Sequence, residues 1–194
     1  MEVTSHALDQ NRVWGIHFDV GVLTNITHEH LDYHKTYLNY VHAKLRMFNV
    51  SRVGVINSDG EWFSEVVKKI PKGKIVTYSL NGRNKGDITP RTIPFKIKTN
   101  LIGEFNKENI LAAYATAKIL GIDDEVIDKA IKSYIPPPGR QEILNTKDEF
   151  TVVVDFAHTP NSFERILPEI RKVTQGRLIH VFGAAIVTGK QHLS

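Results

Sequence analysis

Cysteine is absent from the 194 residues. That excludes disulfides and thiolate metal sites and suits a reducing compartment. Long apolar runs are missing too. The densest, Thr151–Asp155 with its three valines, falls far short of the roughly 20 residues that cross a bilayer, so no membrane association is expected. Met1-Glu2-Val3 shows no basic segment leading into an apolar one, so no secretory signal is expected and a soluble, cytoplasmic protein is. Charge of one sign is not concentrated anywhere. The net charge of +4 comes from scattered lysines, without the basic stripe and interleaved aromatics of a nucleic-acid surface. A Gly-rich phosphate loop is also missing. Gly189-Lys190 has neither the earlier glycine at the required spacing nor a following Ser or Thr.

What is present is ordinary for a globular chain with a real core: 41% hydrophobic and 24% charged residues. β-Branched runs alternate with helical patterns, which predicts a mostly parallel, Rossmann-like α/β sheet. Phe18–Asn25, Val53–Ile56 and Lys74–Tyr78 read as strands, and Thr36–Phe48 and Phe63–Ile70 as helices. Asn57-Ser58-Asp59-Gly60 is a strong turn. Asn81–Asn100 alternates and carries Gly, Pro and Thr, predicting a β-hairpin. A helix over Lys107–Leu120 should start at an Asn106 cap and stop at Gly121, and another should follow over Asp124–Tyr134 behind Asp123.

Pro136-Pro137-Pro138-Gly139 cannot lie in a helix or a central strand. It marks a junction between a domain at 1–135 and a second α/β domain starting at 136. Strands Phe150–Phe156 and Arg177–Phe182 around a helix Ser162–Val173 predict one βαβ unit there. So small a unit leaves a sheet edge unpaired, and the chain starts abruptly on what reads as the end of a strand. Both ends therefore read as cut, the sheet as incomplete.

Chemistry concentrates just past the first strand, where open parallel sheets bind ligands. Three histidines and two carboxylates lie within the seven residues His28–His34, a pattern suited to metal or phosphate. His28-x-His30-x-Asp32 nearly spells the HxHxDH of metallo-β-lactamase-like binuclear hydrolases. Tyr33 stands where that motif needs histidine, and His34 comes one step late.

Five stretches in order carry another likeness. MEVTSHAL, TNITHEHLDYHKTYLNYVHAKLRMF, GEFNKENILAA, PPPGRQEI and VVVDFAHTPNSFE resemble the motifs of the Mur ligases. The likeness is to the branch that adds a diamino acid to UDP-N-acetylmuramoyl-L-alanyl-D-glutamate (UDP-MurNAc-dipeptide) in peptidoglycan precursor synthesis. The resemblance implies an ATP- and Mg²⁺-dependent amide-forming ligase working through an acyl phosphate, where positioning and charge neutralisation matter more than a nucleophile. It implies Glu2, His30 and Lys44 as metal-holding residues, with Lys44 carbamylated and, like His30, acting in catalysis. Thr4, Ser5 and Arg12 would contact substrate, with His6 beside them. Asn109, Arg140, Asp155 and His158 would contact the nucleotide.

HVFGAAIVTGKQHLS departs where the family continues "VFG.GGDRD.GKR". The family's phosphate loop would lie upstream of Met1, so a fragment inactive by itself is expected, with the missing ligase parts as possible companions. Two other functions are open from the residues alone: a metallohydrolase built on His28–His34, and a non-catalytic nucleotide-binding remnant.

Overall fold

A computed structural model describes residues 1–26, 31–70, 73–82, 85–145 and 150–183. His28, Glu29 and His30 lie outside the described residues, as do residues 184–194. The chain divides into two units. One comprises Met1–Asn100 with Asn106–Tyr134, the other Leu101–Phe105 with Ile135–Ser194.

In the first unit, β1 (Phe18–Leu23), β2 (Ser51–Asn57) and β3 (Ile75–Tyr78) form a parallel sheet in the order β1-β2-β3. Register runs Val22 opposite Val55 and Val55 opposite Val76. Successive residues point to opposite faces, and both faces are covered, as a parallel sheet requires. Ile56 joins Leu23, Tyr40, Phe48, Trp62 and Val66 in one core. Val55, one residue earlier, joins Tyr78, Leu111, Tyr114, Ala115 and Ile127 in the other. The first core lies under α3 (Tyr37–Leu45), the 3₁₀ turn Arg46–Asn49 and α4 (Phe63–Val66). The second lies under α5 (Glu104–Ile119) and α6 (Asp124–Ser133). Gly54 permits the first packing: a Cβ there would sit 2.6 Å from the Phe48 ring.

The expected α/β class and parallel strands are present, and three local expectations are corrected. No strand pairing forms a hairpin among the described residues of 81–100. A carboxylate oxygen of Asp87 takes the Thr77 backbone N–H and hydroxyl, both at 2.8 Å, leaving a single parallel bridge between Tyr78 and Ile88. The alternation was real, for Ile93 is buried and Phe95 and Ile97 pack against the second core. Asn106 is no cap, because the helix already begins at Glu104, just past Gly103 at φ +100°. Gly121 does stop it at φ +79°, with its N–H bonded to Lys118 O and that of Ile122 to Ala117 O, a Schellman closure.

The third correction concerns the second unit. Its sheet is antiparallel, β4 (Glu142–Asn145) against β5 (Thr151–Val154), with α7 at Pro160–Val173. Arg177–Phe182 joins no ladder, so the βαβ unit does not form among the described residues. Ile179, Val181 and Phe182 are exposed, and His180 and Phe182 stack 4.9 Å apart beside Phe163. Thr159 rather than Ser162 opens α7: its hydroxyl accepts from Ser162 N, and the Ser162 hydroxyl accepts from Thr159 N. This is a reciprocal capping box with proline at the first turn. Among the described residues no helix is long and apolar enough to cross a membrane.

Candidate functional site

A short helix, α1 (Ser5–Asp9), precedes the sheet. The Thr4 hydroxyl caps it by accepting from Ala7 N at 3.1 Å, so this predicted substrate contact also fixes where the helix starts. Glu2 and Arg12 flank the helix and are exposed. Ser5, the next residue, is buried at 3% exposure, its hydroxyl 2.9 Å from Nε2 of His34, itself 5% exposed.

His34 ends α2 (Leu31–His34), and its carbonyl accepts from Thr36 N and the Asn39 amide. Lys35, at φ +64°, turns the chain into α3, where the Thr36 hydroxyl caps by accepting from Asn39 N. α1 is fastened to this elbow at further points. The Tyr33 hydroxyl donates to the Asp9 carboxylate at 3.0 Å, Arg46 pairs with the same carboxylate at 3.2 Å, and the His6 ring lies 4.2 Å from that of Tyr33.

Lys44, on α3, is half-buried. Its ammonium donates to the main-chain carbonyl of Asn25 at 3.4 Å and stands 5.1 Å from the centre of the Tyr40 ring. Asn25 lies just past the carboxyl end of β1, so the side chain reaches the crest of the sheet, where α/β proteins place their chemistry. As an ammonium it cannot ligate a metal. Converted to a carbamate it would offer oxygen donors, which suit Mg²⁺, as does the exposed carboxylate of Glu2. Among the described residues no three His, Asp or Glu side chains converge as a metal cage. His34, needed by the binuclear-hydrolase reading, is turned inward to Ser5.

Sequence reasoning missed Asp59 at the carboxyl end of β2. Its carboxylate accepts from the Ser79 hydroxyl, Leu80 N and Asn81 N at 2.6, 2.7 and 3.0 Å. This ties the crest of β2 to that of β3. The Asn-Ser-Asp-Gly turn was the signal, read for its turn alone. Asn109 is exposed on α5.

In the second unit, Arg140, Asp155 and His158 are neighbours. The Asp155 carboxylate accepts from Gln141 N at 3.0 Å and Ala157 N at 2.7 Å. The Arg140 guanidinium stacks 4.4 Å over the Phe156 ring, and the His158 ring meets Phe156 edge-on at 5.0 Å. The arrangement presents a cation, an imidazole and an exposed aromatic face beside a carboxylate held by backbone donors. Gln141 anchors it by exchanging two hydrogen bonds with the backbone of Ile102. Phe156 was not singled out from the sequence.

Comparison with known proteins agrees with the motifs. The sequence profile of the Mur ligase middle domain matches residues 1–117, and that of the Mur ligase glutamate ligase domain matches residues 139–191. The UDP-N-acetylmuramoyl-L-alanyl-D-glutamate–2,6-diaminopimelate ligase of Aquifex aeolicus is 41% identical over 197 residues, covering 94% of this chain and 40% of that protein. The ligase of the same name from Synechococcus elongatus is 38% identical with the same coverage. The chain thus spans about 40% of the length of these curated relatives. A solved structure of a 2,6-diaminopimelate ligase of the same name aligns with a TM-score of 0.69 at 31% identity, covering 88% of this chain and 39% of that one. A pseudomurein peptide ligase type C from Methanothermus fervidus shares the fold, with a TM-score of 0.68 at 21% identity over 85% of this chain and 43% of that one.

Proposed function

The chain belongs to the Mur ligase family, and from that premise we propose that it forms part of a cytoplasmic ligase that joins 2,6-diaminopimelate to UDP-N-acetylmuramoyl-L-alanyl-D-glutamate. Residues 1–135 are the part that works on ATP, and residues from 136 onward begin the glutamate ligase domain. The observation that carries the reading is the pair of family matches in order, at 41% identity to a relative bearing that name.

In this chemistry a carboxylate oxygen of the dipeptide attacks the terminal phosphorus of ATP, giving an acyl phosphate and releasing ADP. The diamino acid's amine then attacks the acyl carbon, loses a proton, and expels phosphate as the amide forms. Most of the barrier is overcome by positioning and by neutralising phosphate charge. Mg²⁺, when bound, supplies that neutralisation, with Glu2, His30 and Lys44 as the residues to hold it. For Lys44 this means adding CO₂ to the neutral amine and releasing a proton, which leaves a carbamate. Arg12 suits a substrate carboxylate through its two parallel N–H donors, and Thr4 caps the short helix that precedes it. Asn109, Arg140, Asp155 and His158 serve the nucleotide. The 194 residues hold no Gly-rich phosphate loop, so turnover is assigned to the complete enzyme rather than to this chain by itself.

The test is a chimera in which the matching segment of the Aquifex aeolicus ligase is replaced by this sequence. Diaminopimelate-dependent release of phosphate supports the reading. A folded chimera that binds substrate yet releases none, or that prefers lysine, overturns it.

A further inference from the structure

Ser5 and His34, 29 residues apart, make a buried side-chain contact. Both side chains are all but inaccessible, so neither is placed to touch a substrate. The contact continues inward. The His34 ring lies 5.5 Å from the fully buried Tyr40 ring, and the Lys44 ammonium stands 5.1 Å over the other end of that path, at Tyr40. Ser5, His34, Tyr40 and Lys44 therefore form a continuous side-chain path from α1 to the crest of the sheet. Bonds from Tyr33 and Arg46 to Asp9 hold the outer end of the same helix.

We propose that Ser5 and His34 are a positioning pair, which sets the segment carrying Glu2, Thr4 and Arg12 in register with the elbow and with Lys44. The physical case is one of economy of contact. α1 is only five residues long, too short to hold itself by helix propensity, so its place is fixed by side chains. Of its residues, only Ser5 and Leu8 are buried. A buried hydroxyl–imidazole bond adds direction to that apolar anchoring. It is satisfied in one rotation of the helix and leaves a buried donor or acceptor without its partner in any other. The proposal rests on the metal reading of Glu2, His30 and Lys44 for its consequence and on the observed contact for its existence.

The experiment uses this chain as Ser5→Ala, His34→Ala and His34→Gln variants; the glutamine amide reaches to about where Nε2 stands. Two quantities are read: amide hydrogen exchange, and binding of Mn²⁺ in bicarbonate buffer by electron paramagnetic resonance. In wild type the N–H groups of Leu8, Gln10 and Arg12 are bonded to Thr4, His6 and Ala7 carbonyls. Ser5→Ala and His34→Ala should speed exchange at these three sites about tenfold while Val55 and Leu111 stay protected. The same variants should weaken Mn²⁺ about tenfold, the usual effect of disturbing residues that support metal ligands. His34→Gln should restore both.

Unchanged exchange at those three amides overturns the pair. So does an equal acceleration at Val55 and Leu111, which would make it a contributor to global stability only. Faster exchange with unaltered Mn²⁺ affinity overturns the positioning role. A wild-type chain that takes up no Mn²⁺ overturns the metal reading and the positioning claim that depends on it, whereas the exchange result still decides whether the pair holds α1.

Discussion

Tyr114 on α5 donates its phenolic proton to the Asp124 carboxylate at 2.8 Å, and Lys118 pairs with the same oxygen at 3.1 Å. Burial, and then this hydrogen bond, push the Tyr114 hydroxyl up from 10.0 to about 12. The bond from Tyr114 first, and that from Lys118 second, hold Asp124 below its ordinary 3.8. The two shifts act at opposite ends of the pH scale. Asp124, depressed in the folded state, contributes stability above its unfolded value that is lost as pH falls through the folded one. Tyr114, raised in the folded state, contributes stability that is complete below pH 10 and is lost as pH rises through about 12. Tyr114→Phe should lower the urea midpoint at neutral pH and flatten its decline at both extremes. Midpoints measured from pH 3 to 5 and from 9.5 to 11.5 check this, and a mutant curve parallel to wild type would refute it.

Gly54 should tolerate no side chain. An added Cβ would lie 2.6 Å from one Phe48 ring carbon and 2.7 Å from another, and a ring buried at 5% exposure has little room to move. Gly54→Ala is expected to cost about 1–3 kcal/mol in urea unfolding, and Gly54→Ala with Phe48→Leu should recover part of it. Equal stability of wild type and Gly54→Ala would show that the 3₁₀ turn yields instead.

Lys44 should carry an added CO₂ in the complete enzyme. Native mass spectra taken with and without ¹³C-bicarbonate should differ by one labelled adduct, absent in Lys44→Ala. Activity of Lys44→Ala should fall by about two orders of magnitude or more, on the scale of losing an electrostatic group at a phosphoryl-transfer site. Full activity in that variant ends the idea.

Asp155 should matter twice over. Its carboxylate accepts from two backbone N–H groups, so Asp155→Ala should destabilise the second unit by about 1–3 kcal/mol. It should also abolish any rise in Tm that Mg²⁺-ATP gives the wild-type chain, and Arg140→Ala should reduce that rise without the loss of stability. A rise of wild-type size in Asp155→Ala would remove it from the nucleotide contacts.

The elements that were legible share a cause. Phe18–Leu23, Ser51–Asn57 and Ile75–Tyr78 are runs bearing valine or isoleucine with a core on each face, and two of the helices that cover them carry capping signals: Thr36 before α3, Gly121 after α5. Such signals act over one to four residues and need no partner. Glu142–Asn145 went unread because only one of its residues, Ile143, is β-branched. Arg177–Phe182 was read as a strand because its composition suits one, although pairing is decided by what lies beside it. Asp87 shows the same limit: its carboxylate takes the Thr77 N–H, and the stretch meets β3 through a parallel bridge at Ile88.

By itself the sequence determined the family and the parallel α/β sheet, since five ordered motifs and the alternation of β-branched and amphipathic segments are properties of the linear chain. It also named Glu2, His30, Lys44 and the nucleotide residues, through resemblance. Tertiary structure alone decided which polar groups face inward. Ser5 and His34 carry residue types that could equally bind a substrate and a metal. The packing of α1 onto the elbow brings them to 2.9 Å in a buried place, where each is the other's partner, because a buried polar group without one is too costly to persist.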